Sequence, residues 1–145
     1  MTEEKLNAAK AFLKQVELID THINNKLEEL SRLKDMVYKI TSTLKADVVS
    51  GSGNQDKLGD GVARIVDLEA EINRTVDDFV DKKKKVSAII DQIQDPDQLQ
   101  VIHKRYMEYL TWEEIACQMH MTYRNVCYIH GRALQTVEAL LTKAL

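Results

Sequence analysis

The chain has 145 residues, of which 44% are apolar and 30% charged, and it contains five glycines and one proline. This composition excludes an intrinsically disordered chain and is typical of one domain, or of a small domain with a helical extension. The net charge of −3 excludes a generally basic surface, so any phosphate-binding surface must be local. The two cysteines, together with the lack of a signal peptide and of an apolar run of about 18 residues, predict a cytoplasmic protein without a membrane partner.

The N-terminal two thirds of the sequence contains two long apolar rows. From Leu6 to Leu44, and again from Val62 to Ile93, apolar residues recur every three or four positions, which is the spacing of a coiled-coil seam. We therefore predict an all-α protein in which residues 1–94 form a long antiparallel helical hairpin. Two helices cannot cover so wide an apolar stripe, so we expect the C-terminal helices or a second hairpin to cover it. The hairpin is thus predicted to form a homodimer.

Four of the five glycines occur between residues 48 and 61, where we predict the loop that joins the two helices. This stretch superficially resembles a phosphate-binding loop, but Gly59 is followed by Asp60 instead of Lys and Ser or Thr. The alternating oxygen ligands of a calcium loop are also missing. A flexible connector is the simplest interpretation.

Four consecutive lysines, Lys82–Lys85, lie within a polar stretch that interrupts the second row. Four consecutive helical residues sweep about 300° around the axis, so these lysines cannot form one basic face. A solvated break in the seam is the simplest interpretation, and an accessory contact to DNA or a partner is the alternative.

Residues 95–145 contain three helix-capping residues, Asp95, Thr111 and Thr122. Pro96 suits the first position of a helix that begins after Asp95, and Gln98 is placed to complete a capping box. Thr111 begins a second capping box with the glutamate three residues later. The interval between the second and third caps holds a helix of about eight residues and a tight turn, which is typical of a helix-turn-helix.

The apolar pattern agrees with this interpretation. Ala116 supplies a small residue where the two helices of the motif cross closely. His120 stands in the turn, where such motifs usually have glycine with φ > 0, and histidine tolerates that conformation at a cost of roughly 1 kcal/mol. The residues of the last helix that we expect to point inward are Val126, Ile129, Ala133 and Leu134.

The helix that starts at Tyr123 is the predicted recognition helix, and its first turns would face the major groove of DNA. Arg124 can pair with guanine and Asn125 with adenine, while hydroxyl groups and the helix N-terminus suit phosphate. Residues 122–145 carry three basic residues against one acidic residue, which makes this segment locally positive. The predicted DNA-binding residues are Thr122, Tyr123, Arg124, Asn125, Cys127, Tyr128 and Arg132.

The stretches Leu110–Ala116 and Val126–Leu134 resemble region four of bacterial sigma factors, the part that reads the promoter −35 element. With the hairpin in front, the chain more closely resembles small phage and prophage regulators that carry such a helix-turn-helix. These are loosely similar to late-transcription regulators of the ArpU and RinA kind. The segment Lys57–Glu69 extends this similarity towards the whole chain.

The resemblance implies a promoter-binding regulator in the cytoplasm of a bacterial host, with double-stranded DNA as partner and RNA polymerase as a second candidate partner. Cys127 and Tyr128 stand where sigma factors usually carry basic or amide residues, so the resemblance does not imply the consensus −35 sequence. Nothing in the chain resembles the helix that melts the −10 element, so a stand-alone sigma factor is not implied.

Catalysis and metal binding receive little support from the sequence. No nucleophile, base and orienting residue form a recognisable set, so we expect neither an enzyme nor a cofactor. Cys117 and His120, and likewise Cys127 and His130, have the spacing of metal half-sites, but zinc requires all four side chains to converge. The two cysteines are expected on different surfaces, so no metal site is predicted.

Two other functions stay open at this point. Small terminase subunits, which act in DNA packaging, also combine a helix-turn-helix with oligomerising helices, and they form rings of many subunits. A coiled-coil adaptor that binds protein and no DNA is the second alternative. The mass in solution distinguishes the first from a dimer, and a DNA-binding assay distinguishes the second.

Overall fold

A computed structural model of the chain confirms the predicted all-α class. The structure describes residues 2–46 and 52–144, and in these two stretches no strand is present. No helix within them is long and apolar enough to cross a membrane. The helices are α1 (Glu3–Ala46), α2 (Ser52–Ile90), α3 (Pro96–Tyr106), α4 (Trp112–Met119) and α5 (Tyr123–Ala144).

The chain divides into two compact units. The terminal unit comprises the residues up to Ile19 together with those from Phe79 onward, and the middle unit is Asp20–Asp78. This division differs from the predicted boundary between residues 94 and 95, because the first turns of α1 and the last turns of α2 pack with the C-terminal helices. The expectation that the C-terminal helices cover part of the apolar stripe is therefore confirmed for these ends of α1 and α2.

The terminal unit contains two apolar clusters. The larger is formed by α1, α2, α3 and α5, and the smaller lies where α3, α4 and α5 meet. Burial of each large aliphatic side chain contributes roughly 1.5–3 kcal/mol, so these clusters fix the positions of the short helices. Fully buried members of the larger cluster include Leu13, Val16, Val86, Ile90, Ile102 and Val137, and those of the smaller are Val101, Ile115 and Val126.

In the middle unit α1 and α2 pack on a narrow apolar seam bordered by ion pairs. Lys26 Nζ lies 3.1 Å from Glu71 Oε1, and one turn further along α1 Glu29 Oε1 accepts a hydrogen bond of 2.9 Å from Arg64. Residues later in α1 thus contact residues earlier in α2, which is the order of antiparallel helices. The hydrogen bond from Lys26 lowers the pKa of Glu71. The buried seam residues are Leu30, Leu68 and Ile72, with Leu33 and Ile65 beside them.

The predicted loop at residues 48–61 is wrong for its second part. Helix α2 begins at Ser52, so Gly59 and Gly61 are helical, while residues 48–51 of the predicted loop lie outside the described residues. A Cβ atom at Gly61 would lie 2.8 Å from Val37 Cγ2, whereas one at Gly59 would meet nothing within 4 Å. Gly61 therefore permits a close approach of two helices instead of a turn.

Helix α2 continues without interruption through the lysine run. Lys82 is half-buried, whereas Lys83, Lys84 and Lys85 are exposed. Lys83 Nζ lies 5.6 Å from the centre of the Phe79 ring, a cation–π contact within one helical turn. The polar stretch interrupts the apolar row but does not interrupt the helix.

Candidate nucleic-acid interface

Helix α3 begins with the predicted cap. The Asp95 carboxylate accepts hydrogen bonds from the backbone N–H groups of Asp97 (2.9 Å) and Gln98 (3.0 Å), and Pro96 occupies the first turn. The predicted return contact from Gln98 to the cap is replaced by another interaction. Gln98 Oε1 accepts a hydrogen bond of 2.6 Å from the Thr136 hydroxyl, which joins α3 to α5.

Helix α4 is defined by its cap and by the turn that ends it. Thr111 Oγ1 accepts a hydrogen bond of 3.2 Å from the N–H of Glu114, which confirms the cap, and the Glu114 carboxylate lies 3.2 Å from the same hydroxyl. His120 has φ 55° and ψ 44°, so the predicted left-handed conformation is confirmed. The N–H of Met121 then donates to the carbonyl of Ala116 (3.0 Å). These contacts fix the direction in which the chain enters α5.

Helix α5 starts as predicted. Thr122 Oγ1 accepts a hydrogen bond of 3.1 Å from the N–H of Asn125. Of the four residues expected to point inward, Val126, Ala133 and Leu134 are buried and Ile129 is half-buried. The opposite face of α5 is thereby left to solvent.

The predicted DNA-binding residues occupy the cap and the first three turns of α5. Tyr123 and Tyr128 are 51% and 61% exposed, and Cys127 is half-buried. Arg132 donates a hydrogen bond of 3.1 Å to the Tyr128 hydroxyl and lies 5.8 Å from the centre of its ring. The structure therefore presents this set on α5 and its capping residue, with all but Cys127 exposed: Thr122, Tyr123, Arg124, Asn125, Tyr128 and Arg132.

Tyr123 and Cys127 are one turn apart on the edge of this surface. Two interactions with Cys127 raise the pKa of the Tyr123 hydroxyl. The electrostatic interaction is the larger, and a side-chain hydrogen bond is the second. The Tyr123 hydroxyl is protonated at neutral pH, as that of an ordinary tyrosine is, and can donate a hydrogen bond to a phosphate oxygen.

Tyr109, with φ 60°, is a second left-handed residue that the sequence does not predict. It lies in the connection between α3 and α4, where the N–H of Leu110 donates to the Lys104 carbonyl (3.1 Å). Arg105 stabilises the same connection, since it donates a hydrogen bond to the Leu110 carbonyl (2.9 Å) and its guanidinium lies 4.3 Å from the centre of the Trp112 ring. No glycine or asparagine marks this corner in the sequence, so no local signal predicted it.

His130 has a structural role that the sequence analysis above did not predict. This side chain is only 7% exposed, its Nε2 atom shares a hydrogen bond of 2.7 Å with the Tyr106 hydroxyl, and its ring lies 4.5 Å from that of Trp112. Burial lowers the pKa of His130 to about 4 and raises the pKa of Tyr106 to about 12. The signal was present in the helical spacing, because His130 is four residues after the inward Val126 and three before Ala133.

The two Cys-x-x-His patterns do not form a metal site in this structure. Cys117 and His120 are exposed, Cys127 is half-buried, and His130 is engaged with Tyr106. Across the described part of the chain, no three His, Cys, Asp or Glu side chains converge to hold a metal ion.

Comparison with known protein families gives a match over most of the chain. The profile of a family described as "Protein of unknown function (DUF1492)" matches residues 39–138. No curated protein and no solved structure matches the chain.

Proposed function

We propose that this chain, which belongs to the DUF1492 family, is a sequence-specific DNA-binding protein that regulates transcription. The observation that carries the proposal is the polar, exposed face of α5, which is held by two buried clusters and by a left-handed turn at His120. A helix with a rigidly supported polar face and an N-terminus free to meet phosphate suits insertion into the major groove.

In this proposal α4, the turn at His120 and α5 act as a helix-turn-helix, with α5 as the recognition helix. Arg124 pairs bidentately with guanine and Asn125 with adenine, because both are exposed in the first turn. Thr122 and the tyrosine hydroxyls bind phosphate and position the helix. Arg132, through its contact with Tyr128, orients that tyrosine towards the DNA backbone.

Electrostatics favours specific over non-specific binding. The net charge of the chain is −3, so the DNA-facing surface depends on a few cations on α5 instead of a broad basic field. Each phosphate that a cation neutralises steepens the dependence of affinity on salt. We therefore expect a shallow salt dependence, weak non-specific binding and a large share of the affinity from base contacts.

The similarity to sigma region four and to phage regulators of the ArpU and RinA kind supports a finer assignment. The protein would act at promoters in the cytoplasm of a bacterial host, with RNA polymerase as its second partner. Exposed valines on α2 of the middle unit support a homodimer formed through the N-terminal helices. Two recognition helices then read two half-sites, which multiplies affinity without new kinds of contact.

Selection of DNA from a random library by the full chain tests the proposal. We expect enrichment of one short DNA motif, present in two copies when a dimer binds. DNA that carries this motif should then compete for binding to the protein far better than unrelated DNA. Recovery of no motif at moderate salt would contradict DNA recognition and favour the protein-binding adaptor. The mass of the protein alone adds a second criterion, since a ring of many subunits would favour the DNA-packaging alternative.

A further inference from the structure

Helix α2 carries a second row of residues in the middle unit, distinct from the seam that packs on α1. We call Val62, Val66, Glu69, Asn73 and Val76 the outer row. All five are exposed, and Val66 is 60% exposed. Their spacing alternates between four and three residues, which is the heptad spacing of a helix that packs against a partner.

The outer row lies beside the buried seam of the same helix. Gly61, Ile65, Leu68 and Ile72 face α1 and also repeat every three or four residues. At 3.6 residues per turn the two rows are separated by roughly a quarter of a turn. A helix with two such rows is typical of a bundle of more than two helices, in which each row packs on a different neighbour.

From Val66 to Val76 the order of residues in the outer row is self-complementary in one register. If α2 of a second copy lies antiparallel, with the two-fold axis at residue 71, Val66 meets Val76 of the second copy. In the same register Glu69 meets Asn73 of the second copy, whose amide can donate to the carboxylate. Two layers of paired valines then enclose two central polar layers. In each polar layer the hydrogen-bond acceptor Glu69 meets the donor Asn73 of the other copy.

A parallel pair and an antiparallel pair shifted by one heptad both mismatch these residues. In a parallel pair Glu69 would face Glu69 of the second copy, which places two carboxylates together. A shift of one heptad in the antiparallel pair would place a valine against Glu69 or Asn73, leaving a polar group without a partner. A buried polar layer is a known means of fixing register in paired helices.

Two neighbouring features fit the same arrangement. Ala63 and Ala70 flank the outer row and are exposed, so small side chains border the contact and permit close approach of the helices. Lys34 Nζ lies 3.3 Å from Glu69 Oε1, which offsets the charge of that carboxylate when solvent is removed.

We infer that the outer row of α2 is the homodimer interface, with two copies of α2 antiparallel about residue 71. The inference deepens the proposed function, since it rests on the homodimer proposed there and names the surface and register. The occupant of the row is a second copy of this chain.

The first test is the solution mass of the full chain, without DNA, over a range of protein concentrations. We expect a dimer for the wild type and a rise in the dissociation constant of about 100-fold or more for Val66→Glu, which places a carboxylate against Val76 of the second copy. Met36→Glu is the matched control, because Met36 is an exposed apolar residue of α1 outside the row. A monomeric wild type at tens of micromolar, or equal masses for the two variants, would overturn the inference.

The second test determines the register in a background in which Cys117 and Cys127 are replaced by serine. Ala70→Cys places a thiol beside the two-fold axis, so mild oxidation should join two copies, whereas Asp67→Cys on a different face should not. Crosslinking of Asp67→Cys alone would overturn the antiparallel register. Neither test contains DNA, so failure of the interface is distinguishable from failure of DNA recognition, which the library selection measures separately.

Discussion

The terminal and middle units bury their apolar surface in different ways. The terminal unit surrounds its core with four helices, and its connections are fixed by capping side chains and by left-handed residues at Tyr109 and His120. The middle unit pairs two helices, holds them with partly exposed ion pairs and leaves valines in solvent. A rigid frame therefore supports the candidate DNA surface, whereas the middle unit retains an apolar face available to a partner.

The largest change in stability that we expect from this difference concerns the buried pair of His130 and Tyr106 in the terminal unit. The folded state keeps His130 neutral down to a pKa of about 4, whereas the unfolded chain binds a proton near the ordinary value of 6.5. The unfolded state therefore binds more protons between these values, and the free energy of unfolding should fall by up to about 3 kcal/mol as the pH falls from 6.5 to 4. Denaturant titrations at several pH values measure this loss.

Variants at two histidines separate this effect from general acid sensitivity. His130→Gln, whose amide does not titrate, should flatten the pH dependence over this interval. His22→Gln, at an exposed histidine of α1, should leave the pH dependence of the wild type unchanged. A profile for His130→Gln that matches the wild type would show that another group causes the loss.

The next effect concerns helix approach in the middle unit. Gly61→Ala should destabilise the protein by about 1–3 kcal/mol, because the new methyl group meets the stiff Val37 side chain at 2.8 Å. Gly59→Ala is the matched control, and it should stabilise by up to about 1 kcal/mol since its Cβ has open space and alanine favours a helix. Thermal unfolding of both variants checks the contrast, and equal shifts of the same sign would refute close packing at Gly61.

The smallest effect concerns the left-handed turn of the terminal unit. At φ 55° a Cβ atom is strained, so His120→Gly should be neutral or stabilising by up to about 1 kcal/mol, even though glycine loosens the unfolded chain. Cys117→Ser should have little effect, and a chelator should not shift the melting temperature of the wild type. Loss of several degrees in both variants, matched by the wild type in chelator, would instead indicate a metal held at this corner.

Local chemistry explains which features could be predicted from the sequence. Caps such as Asp95, Thr111 and Thr122 act through the next three residues, so the starts of α3, α4 and α5 were predictable, as was the strained turn at His120. Glycine is ambiguous, because it serves both turns and close helix contacts, and Gly61 belongs to the second kind.

The remaining features depend on packing between residues far apart in the chain. The way in which the helices cross determines three contacts that residue spacing along the sequence does not predict. These are Arg105 with Trp112, His130 with Tyr106, and Gln98 with Thr136. The candidate DNA-binding set was predicted as a helix face and the structure exposes that face, but its binding to DNA stays a prediction.

Recognition of DNA bases by α5 is tested by Arg124→Ala on the DNA site that the full chain selects. We predict a loss of roughly 1–3 kcal/mol of binding free energy and relaxed base preference at one position, because Arg124 is exposed in the first turn of α5. Arg74→Ala, at an exposed arginine of α2, is the control and should bind like the wild type. Affinity and base preference unchanged in Arg124→Ala would contradict base recognition by this residue, and a loss of the same size in both variants would show that α5 is not the reading surface.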